Sequence, residues 1–523
     1  MQFGSSIPVR TPTRVLVPLV AALLLLRLPS LVQPMGADQG LYAYVGERIL
    51  EGQLAYRDAW DQKPPGIHYV YAALRAVARS DAVVPAADLA SAAVIALLLG
   101  VLGTRLGGPA AGLLSAVAFL ALSDPGFARY GGVRIRAQCE TFVAVAITGA
   151  LVLATGRRSA LRIFAAGVLI GGAFTLKYNA GVFGLVVIAA AALTSGVTWK
   201  DLGWLTLGSV VLPALLLVVF WRGGALDDLY QATIAYNVQY SAETYASRWA
   251  MPAYLLRLPL ERARLDGLWF VGGLGCGVLL VAGLRKRVAW LPVAWVAAAC
   301  LSIAINGSRS LPQYFVQAAP ALGLAAGLGA AIAFTPLSTR LRWVAALLIA
   351  AGIWRAGPDP FPSLAQNLWH DTQYIAGRID RRTHLARYGG ARSTEKFSAL
   401  DNLDLGAFLR SRTSRDEPVY VFGFSPGAYV YAGRRSASRF FWSRPVIVDF
   451  HASDPRYGVA GLANDLRRSP PAYVVLQQHD WAPDVQDSAA FFLSRAPLAD
   501  WLRAEYHEVP AVEGFMAWER NRR

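Results

Sequence analysis

The sequence predicts a polytopic α-helical membrane protein with a small C-terminal α/β domain outside the cytoplasm. Three observations predict it. Of 523 residues, 55% are hydrophobic and only 16% charged, where soluble domains carry roughly 25% charged residues. Runs of about 18 or more mostly apolar residues recur, each long enough to cross a hydrocarbon core as a helix. Near residue 355 the composition turns polar, which divides a transmembrane region 1–354 from a soluble region 355–523.

The first apolar run, 15–33, follows Arg10 and Arg14. Positive charge before it places the N-terminus in the cytoplasm. With no small-residue cleavage site after it, the run reads as an uncleaved span rather than a signal peptide. The acidic loop 34–84 is then external. Within it, 41–50 and 66–78 are helical in pattern but short and broken by charges, which suits helices lying along the interface. Further spans are expected at 86–104, 108–123, 139–155, 203–221, 267–284, 288–305, 312–334 and 342–354. The runs 161–176 and 178–195 are barely long enough and predict a shallow hairpin with Lys177 at its outer tip, where Gly171, Gly172 and Gly181 permit close helix packing. This makes about eleven spans.

That count places Arg105, Arg157, Arg158, Arg285, Lys286, Arg287, Arg340 and Arg342 inside, as the positive-inside trend requires. It places Asp38, Lys63, Arg136, Lys177, Asn237 and Arg309 outside. The loop 124–138, with Arg129, Arg134 and Arg136, is basic although external, and a phosphate ligand is one reason for that exception. The long external loop 222–266 holds Asp227, Asp228, Asn237, Tyr240, Glu243 and Tyr245. In the soluble region, 419–424, 446–450 and 473–477 read as strands, Ser425-Pro426-Gly427 as a turn, and 485–506 as helical.

The formal net charge is +16. Arginines in short cytoplasmic loops and a basic tail near anionic lipid explain it, and no nucleic-acid motif is present. Cys139, Cys276 and Cys300 lie in or beside apolar runs, odd in number and wrongly spaced for a metal, as small packing residues do. There is no His/Cys cluster, no Walker-type glycine loop and no Gly-x-Ser-x-Gly elbow, which argues against ATP hydrolysis and serine-hydrolase chemistry.

Charges at a membrane boundary are expensive and by default suggest function. Asp38 stands just past the outer end of the first run. Its carboxylate is either a loop acid in water, a base for an acceptor hydroxyl, or part of a metal site. Lys63 precedes Pro64 and Pro65, whose rings stiffen the backbone; it is either a phosphate contact or a lysine snorkelling to the interface. Arg134, Arg136, Lys177 and Arg309 come from separate external segments and together could surround a phosphate with charge-assisted hydrogen bonds, though each alone suits a lipid headgroup equally. Asp61, Glu140 and the pair Asp227 and Asp228 are candidates for a second acid, and spacing does not choose among them.

The stretches 38–44, 51–58 and Asp61-Gln62-Lys63-Pro64-Pro65 resemble the first external loop of GT-C glycosyltransferases. The branch is that of the bacterial relatives of dolichyl-phosphate-mannose protein mannosyltransferases and of lipid A aminoarabinose transferase. Supporting matches are 136–140, Leu176-Lys177-Tyr178, Asn237-Val238-Gln239-Tyr240, Arg309 with Gln313-Tyr314, and, in the tail, 421–426, Tyr429 and 433–440. The resemblance implies a GT-C-like fold and an inverting transfer of a hexose or pentose from a polyprenyl-phosphate donor to a glycan, lipid or protein acceptor. The reaction belongs at the outer face of the cytoplasmic (inner) membrane. Asp38 is the implied catalytic base or acid-site residue. Lys63, with Arg134, Arg136, Lys177 and Arg309, supplies charge to the donor phosphate. Tyr42, Asp61, Glu140, Asn237, Tyr240 and Tyr314 are the remaining substrate-binding candidates. Gln39 stands where many relatives carry a second acid, and Gln313 where many carry His. No cofactor is therefore assigned, and a divalent metal is left open. The rival class, a transporter or flippase for an anionic or lipid-linked solute, predicts inverted repeats and midplane charges, neither of which is evident. A third reading is a non-catalytic assembly protein whose tail binds a wall polymer.

Overall fold

The computed structural model describes residues 13–127, 132–242, 244–247, 249–356, 360–389, 397–451, 453–480 and 487–521. Arg10, Arg129 and Glu243 lie outside the described residues. The chain forms two compact units, each assembled from separated stretches. The first is Met1–Leu31, Pro85–Val219 and Val238–Trp369; the second is Val32–Val84, Phe220–Asn237 and His370–Arg523.

Among its described residues the first unit is entirely helical. Among the described residues four helices are long and apolar enough to cross a membrane: Val83–Gly107, Trp199–Arg222, Arg287–Ile305 and Pro312–Phe334. The pair Ala250–Ala263 and Gly267–Gly283, bent by 111°, makes a fifth if it counts as one span. A helix stands at every span expected from hydropathy, but the others are short, among them Pro109–Leu122, Cys139–Ala154 and Ala160–Leu176. The interruptions have local causes. The first helix, Thr13–Leu25, gives way to a 3-10 turn at Leu28–Val32 that contains Pro29, which has no N–H to donate. A second 3-10 turn, Tyr178–Val182, separates Lys177 from helix Phe183–Thr194.

Packing in this unit runs through small residues, as it must where lipid offers no hydrophobic drive between helices. A Cβ on Gly275 would strike the backbone of Ala325, and one on Gly327 would strike Ser115. Pro109–Leu122 and Gly267–Gly283 therefore both lie against Ala319–Phe334 at backbone distance. Gly171 likewise meets Ser209 of Trp199–Arg222, so the glycine expected to allow close packing does so against that helix. Burial ranks the spans: 72% of the apolar window in Pro312–Phe334 is buried, against 6% in Trp199–Arg222. The former is the axis of the unit and the latter presents its leucines and valines outward, as lipid contact requires.

In the second unit, helices Ala37–Leu50 and Gly66–Val77 pack on each other. A Cβ on Gly46 would lie 2.7 Å from the Ala72 nitrogen, so glycine is required there. Helix Ala37–Leu50 also rests on helix Gly427–Ala432, where a Cβ on Gly40 would lie 2.9 Å from the Gly427 nitrogen. Tyr44 completes the contact: its hydroxyl accepts from the Ser436 N–H at 2.8 Å, and its ring lies 4.4 Å from that of Phe441.

The same unit holds a four-stranded sheet. We number its strands β1 (Tyr420–Phe422), β2 (Tyr473–Gln477), β3 (Tyr506–Val509) and β4 (Phe515–Arg520), in spatial order β1-β2-β4-β3. β1 runs parallel to β2 with Val421 opposite Val475, and the other two pairings are antiparallel. β1 and β2 fall where alternation predicted strands. The stretch 446–450 does not: it is the end of helix Arg444–Ile447 and a turn with Asp449 at φ 49°. Pro445 at the first helical turn explains the reversal, since proline is preorganised for that position and cannot donate to a ladder. Helices Ser488–Ser494 and Ala496–Glu505 occupy the region expected to be helical. Strands β3 and β4 were not anticipated.

Candidate active site

In the second unit the candidates gather around one loop. Asp38 is half-buried in the first turn of helix Ala37–Leu50, where an acid complements the helix dipole. Tyr42 follows one turn later on the same face. It is buried, with its ring 5.3 Å from Tyr71 and 6.0 Å from His68, both edge-on. His68 lies in helix Gly66–Val77, whose start is set by Pro64 and Pro65. It is fully buried, with Nε2 3.3 Å from Asp61 Oδ2. That is ion-pair distance without hydrogen-bond alignment.

Between Trp60 and Lys63 the backbone is held at Trp60, Gln62 and Lys63. The Trp60 N–H donates to the Arg439 carbonyl at 2.8 Å, and its carbonyl accepts from Trp442 Nε1 at 3.1 Å. Asp61 Oδ1 accepts from the Gln62 N–H at 2.7 Å. The Gln62 carbonyl accepts from Asn237 Nδ2 at 2.7 Å. The Lys63 carbonyl accepts from the Tyr56 hydroxyl at 2.7 Å. Tyr56 itself sits at φ 68°, a left-handed conformation costly for a tyrosine and typical of a turn the surroundings over-determine. Asn237 follows a π-helical turn at Gln231–Ala235, which re-aims the side chains after it. The structure thus brings together Tyr42, Asp61, Lys63 and Asn237 of the expected set, in the unit that also holds Asp38.

In the first unit the candidates fall into three contacts. Lys177, just after helix Ala160–Leu176, pairs with Glu140 in the first turn of helix Cys139–Ala154 and lies 4.4 Å over the ring of Tyr314. All three are buried. Arg309 stacks 3.8 Å over Tyr240 and donates to its carbonyl at 3.0 Å. Arg136 is buried and bound to Asp88 at 3.2 Å, while Asp88 Oδ1 also accepts from the Ala137 N–H at 3.1 Å. Arg134 is exposed, and its carbonyl accepts from Gln138 Nε2 at 2.7 Å.

Sequence reasoning passed over His68, Arg27, Asp88 and Asp124. Arg27 pairs with Asp124 at 2.9 Å, and with Asp88 it lines a cavity of about 40 Å³. A charge inside an apolar run is the signal that finds Arg27 and Asp88. For His68 the signal is an imidazole in the first turn of the helix that the prolines begin, shortly after Asp61. Among the described residues no group of three or more His, Cys, Asp or Glu side chains could hold a metal ion.

No protein-family model matches the sequence, and no curated protein matches it. Solved structures do. The chain is similar to ArnT from Cupriavidus metallidurans bound to undecaprenyl phosphate, with TM-score 0.59 and 16% identity over 97% of this chain and 98% of that one. The apo state of the same protein gives TM-score 0.57 at 17% identity, with the same coverage. The archaeal oligosaccharyltransferase AglB from Archaeoglobus fulgidus, in complex with an inhibitory peptide and a dolichol-phosphate, gives 0.51 at 12% identity over 97% of this chain and 74% of that one. The chain therefore shares the fold of these structures.

Proposed function

We propose that this protein is a membrane glycosyltransferase that moves a sugar from a polyprenyl-phosphate donor to an acceptor at the outer face of the cytoplasmic membrane. In this reading the N-terminus is cytoplasmic and 355–523 is extracytoplasmic. The observation that carries it is the backbone from Trp60 to Lys63, tied at Trp60, Gln62 and Lys63 in the unit that holds Asp38. A flexible lysine serves a lipid headgroup; one whose backbone is fixed serves a substrate that must be oriented. The fold shared with ArnT bound to undecaprenyl phosphate supports the choice of donor.

The reaction forms a bond from the acceptor oxygen to the anomeric carbon while the bond from that carbon to the phosphate oxygen breaks, with inversion. Asp38 takes the acceptor's proton. The electron pair leaves with the lipid phosphate, which is weakly basic and needs charge stabilisation more than a proton. Lys63 supplies it first. Arg134, Arg136, Lys177 and Arg309 belong to the other unit, where Arg136 and Lys177 meet a phosphate only by leaving Asp88 and Glu140. Tyr42, Asp61 and Asn237 orient the sugar in this proposal, while Glu140 and Tyr314 hold Lys177 and Tyr240 holds Arg309.

The test is turnover of a polyprenyl-phosphate sugar in detergent, followed by release of free polyprenyl phosphate. Asp38→Asn is expected to slow release by roughly 10²–10⁴-fold while the protein still inserts and unfolds at the wild-type temperature. Wild-type release by that variant removes Asp38 from the mechanism; binding of donor without release by the wild type removes the enzyme.

A further inference from the structure

An open, polar cleft of about 650 Å³ lies wholly within the second unit. That size is within the usual range of small-molecule sites. Its charged lining is Arg57, Asp58, Arg439, Arg456, Asp465 and Arg468, and no aromatic side chain lines it.

The charges do not make it an anion trap. Arg57 pairs with Asp58 at 2.8 Å. Arg439 pairs with Asp228 at 2.9 Å. Arg456 pairs with Asp454 at 2.7 Å and Asp227 at 2.8 Å. Asp465 accepts from the Ser438 hydroxyl at 2.8 Å, and Arg468 stands 3.9 Å from it. The guanidiniums are thus largely neutralised, and what the wall offers is closely spaced fixed donors and fixed acceptors. A guanidinium can only donate and a carboxylate only accept, whereas a hydroxyl does both and can bridge the two. Gln53 and Asn464 add amides that likewise do both. The apolar part of the wall, Ala437, Pro455 and Gly461, is interleaved with these ion pairs, as the alternating CH and OH faces of a sugar would match, and a polyanion meets Asp58 and Asp465.

The cleft also shares a wall with the candidate loop. Segment 436–439 lines it, and the carbonyl of Arg439 is the one that holds the Trp60 N–H. Arg57 and Asp58 lie a few residues before Lys63 on the same strand of chain.

We infer that this cleft is an acceptor subsite, and that the acceptor is an uncharged carbohydrate chain rather than a lipid or a protein. The inference rests on the transferase reading for the word acceptor, but the binding itself is measured without turnover. The probes are maltohexaose, mannohexaose and arabinohexaose, with a hexamer of galacturonate and inorganic phosphate as anions. Each is titrated against the full-length protein in nanodiscs by saturation-transfer NMR and calorimetry. At least one neutral hexamer is expected to bind saturably. The triple variant Gln53→Ala, Asn464→Ala, Arg468→Ala removes side chains at the cleft surface, Arg468 being 78% exposed. It is expected to weaken that binding about tenfold or more. Absence of binding by every neutral hexamer, undiminished binding by the triple variant, or binding of the anions alone overturns the inference. Cleft-dependent binding together with wild-type turnover by Asp38→Asn leaves the cleft standing and removes the proposed chemistry. Loss of turnover in Asp38→Asn with no hexamer bound does the reverse.

Discussion

In the helical unit Lys177 meets Glu140, Arg136 meets Asp88 and Arg27 meets Asp124, each pair formed by residues far apart in sequence. In the other unit Lys63 is placed by hydrogen bonds to its own backbone and its neighbours'. The difference follows from the surroundings. Among apolar helices an isolated charge is costly enough that it must carry its own counterion. In a unit with polar surface a lysine can be positioned by its main chain. The first arrangement fixes a charge through its counterion; the second fixes the backbone that carries it.

The sharpest way to break this contrast is at the acid placed to react. Asp38→Asn is expected to slow turnover by roughly 10²–10⁴-fold, the range for loss of a general base, with unfolding temperature as the control. Next comes the buried pair. Glu140→Gln leaves Lys177 buried without its counterion and is expected to lower stability in detergent by about 3–5 kcal/mol. Replacing both, with Glu140→Leu and Lys177→Met, is expected to restore most of that stability. Normal turnover by the restored variant makes the pair purely structural; slow turnover assigns Lys177 to the donor.

Asp480 tests the second unit's side of the comparison, since it is a buried acid with no cation among the groups that set its titration. Burial pushes its carboxyl from 3.8 up to about 6, against hydrogen bonds from Ser488. A folded value above the unfolded one contributes stability at low pH that is lost as pH rises through about 6. Asp480→Asn keeps an acceptor for Ser488. It is therefore expected to raise stability at pH 7.5 by on the order of 1–3 kcal/mol and to change nothing at pH 4. Denaturant titrations at the two pH values check it. The smallest effect is at Tyr56→Phe, which deletes one hydrogen bond to the Lys63 carbonyl. A stability loss of about 1 kcal/mol is expected, with the donor KM raised more than kcat is lowered.

The helices were legible because long apolar runs have few other fates, and the polar tail announced itself by composition. Strands β3 and β4 were not, because His507, Glu508, Glu519 and Arg520 break up the alternation that marks a half-buried strand. At the candidate site the loop 61–65 was legible from its prolines and charges. Its immobilisation was not: Asn237, Tyr56 and Trp442 reach it from 175, 7 and 382 positions away. Arg136 shows the same limit, because its partner Asp88 lies 48 positions upstream, inside a run that reads simply as apolar.

The meeting of Gly40 with Gly427 bears on how such proteins can be recombined. Two residues past Asp38, helix Ala37–Leu50 rests on main chain contributed by the tail, with no side chain between them to give way. A chimera that grafts another protein's tail onto this frame keeps the carboxylate in place only if the incoming segment offers an equally bare surface at that point. Libraries built by swapping tails will do better when the crossover carries both glycines from the same parent.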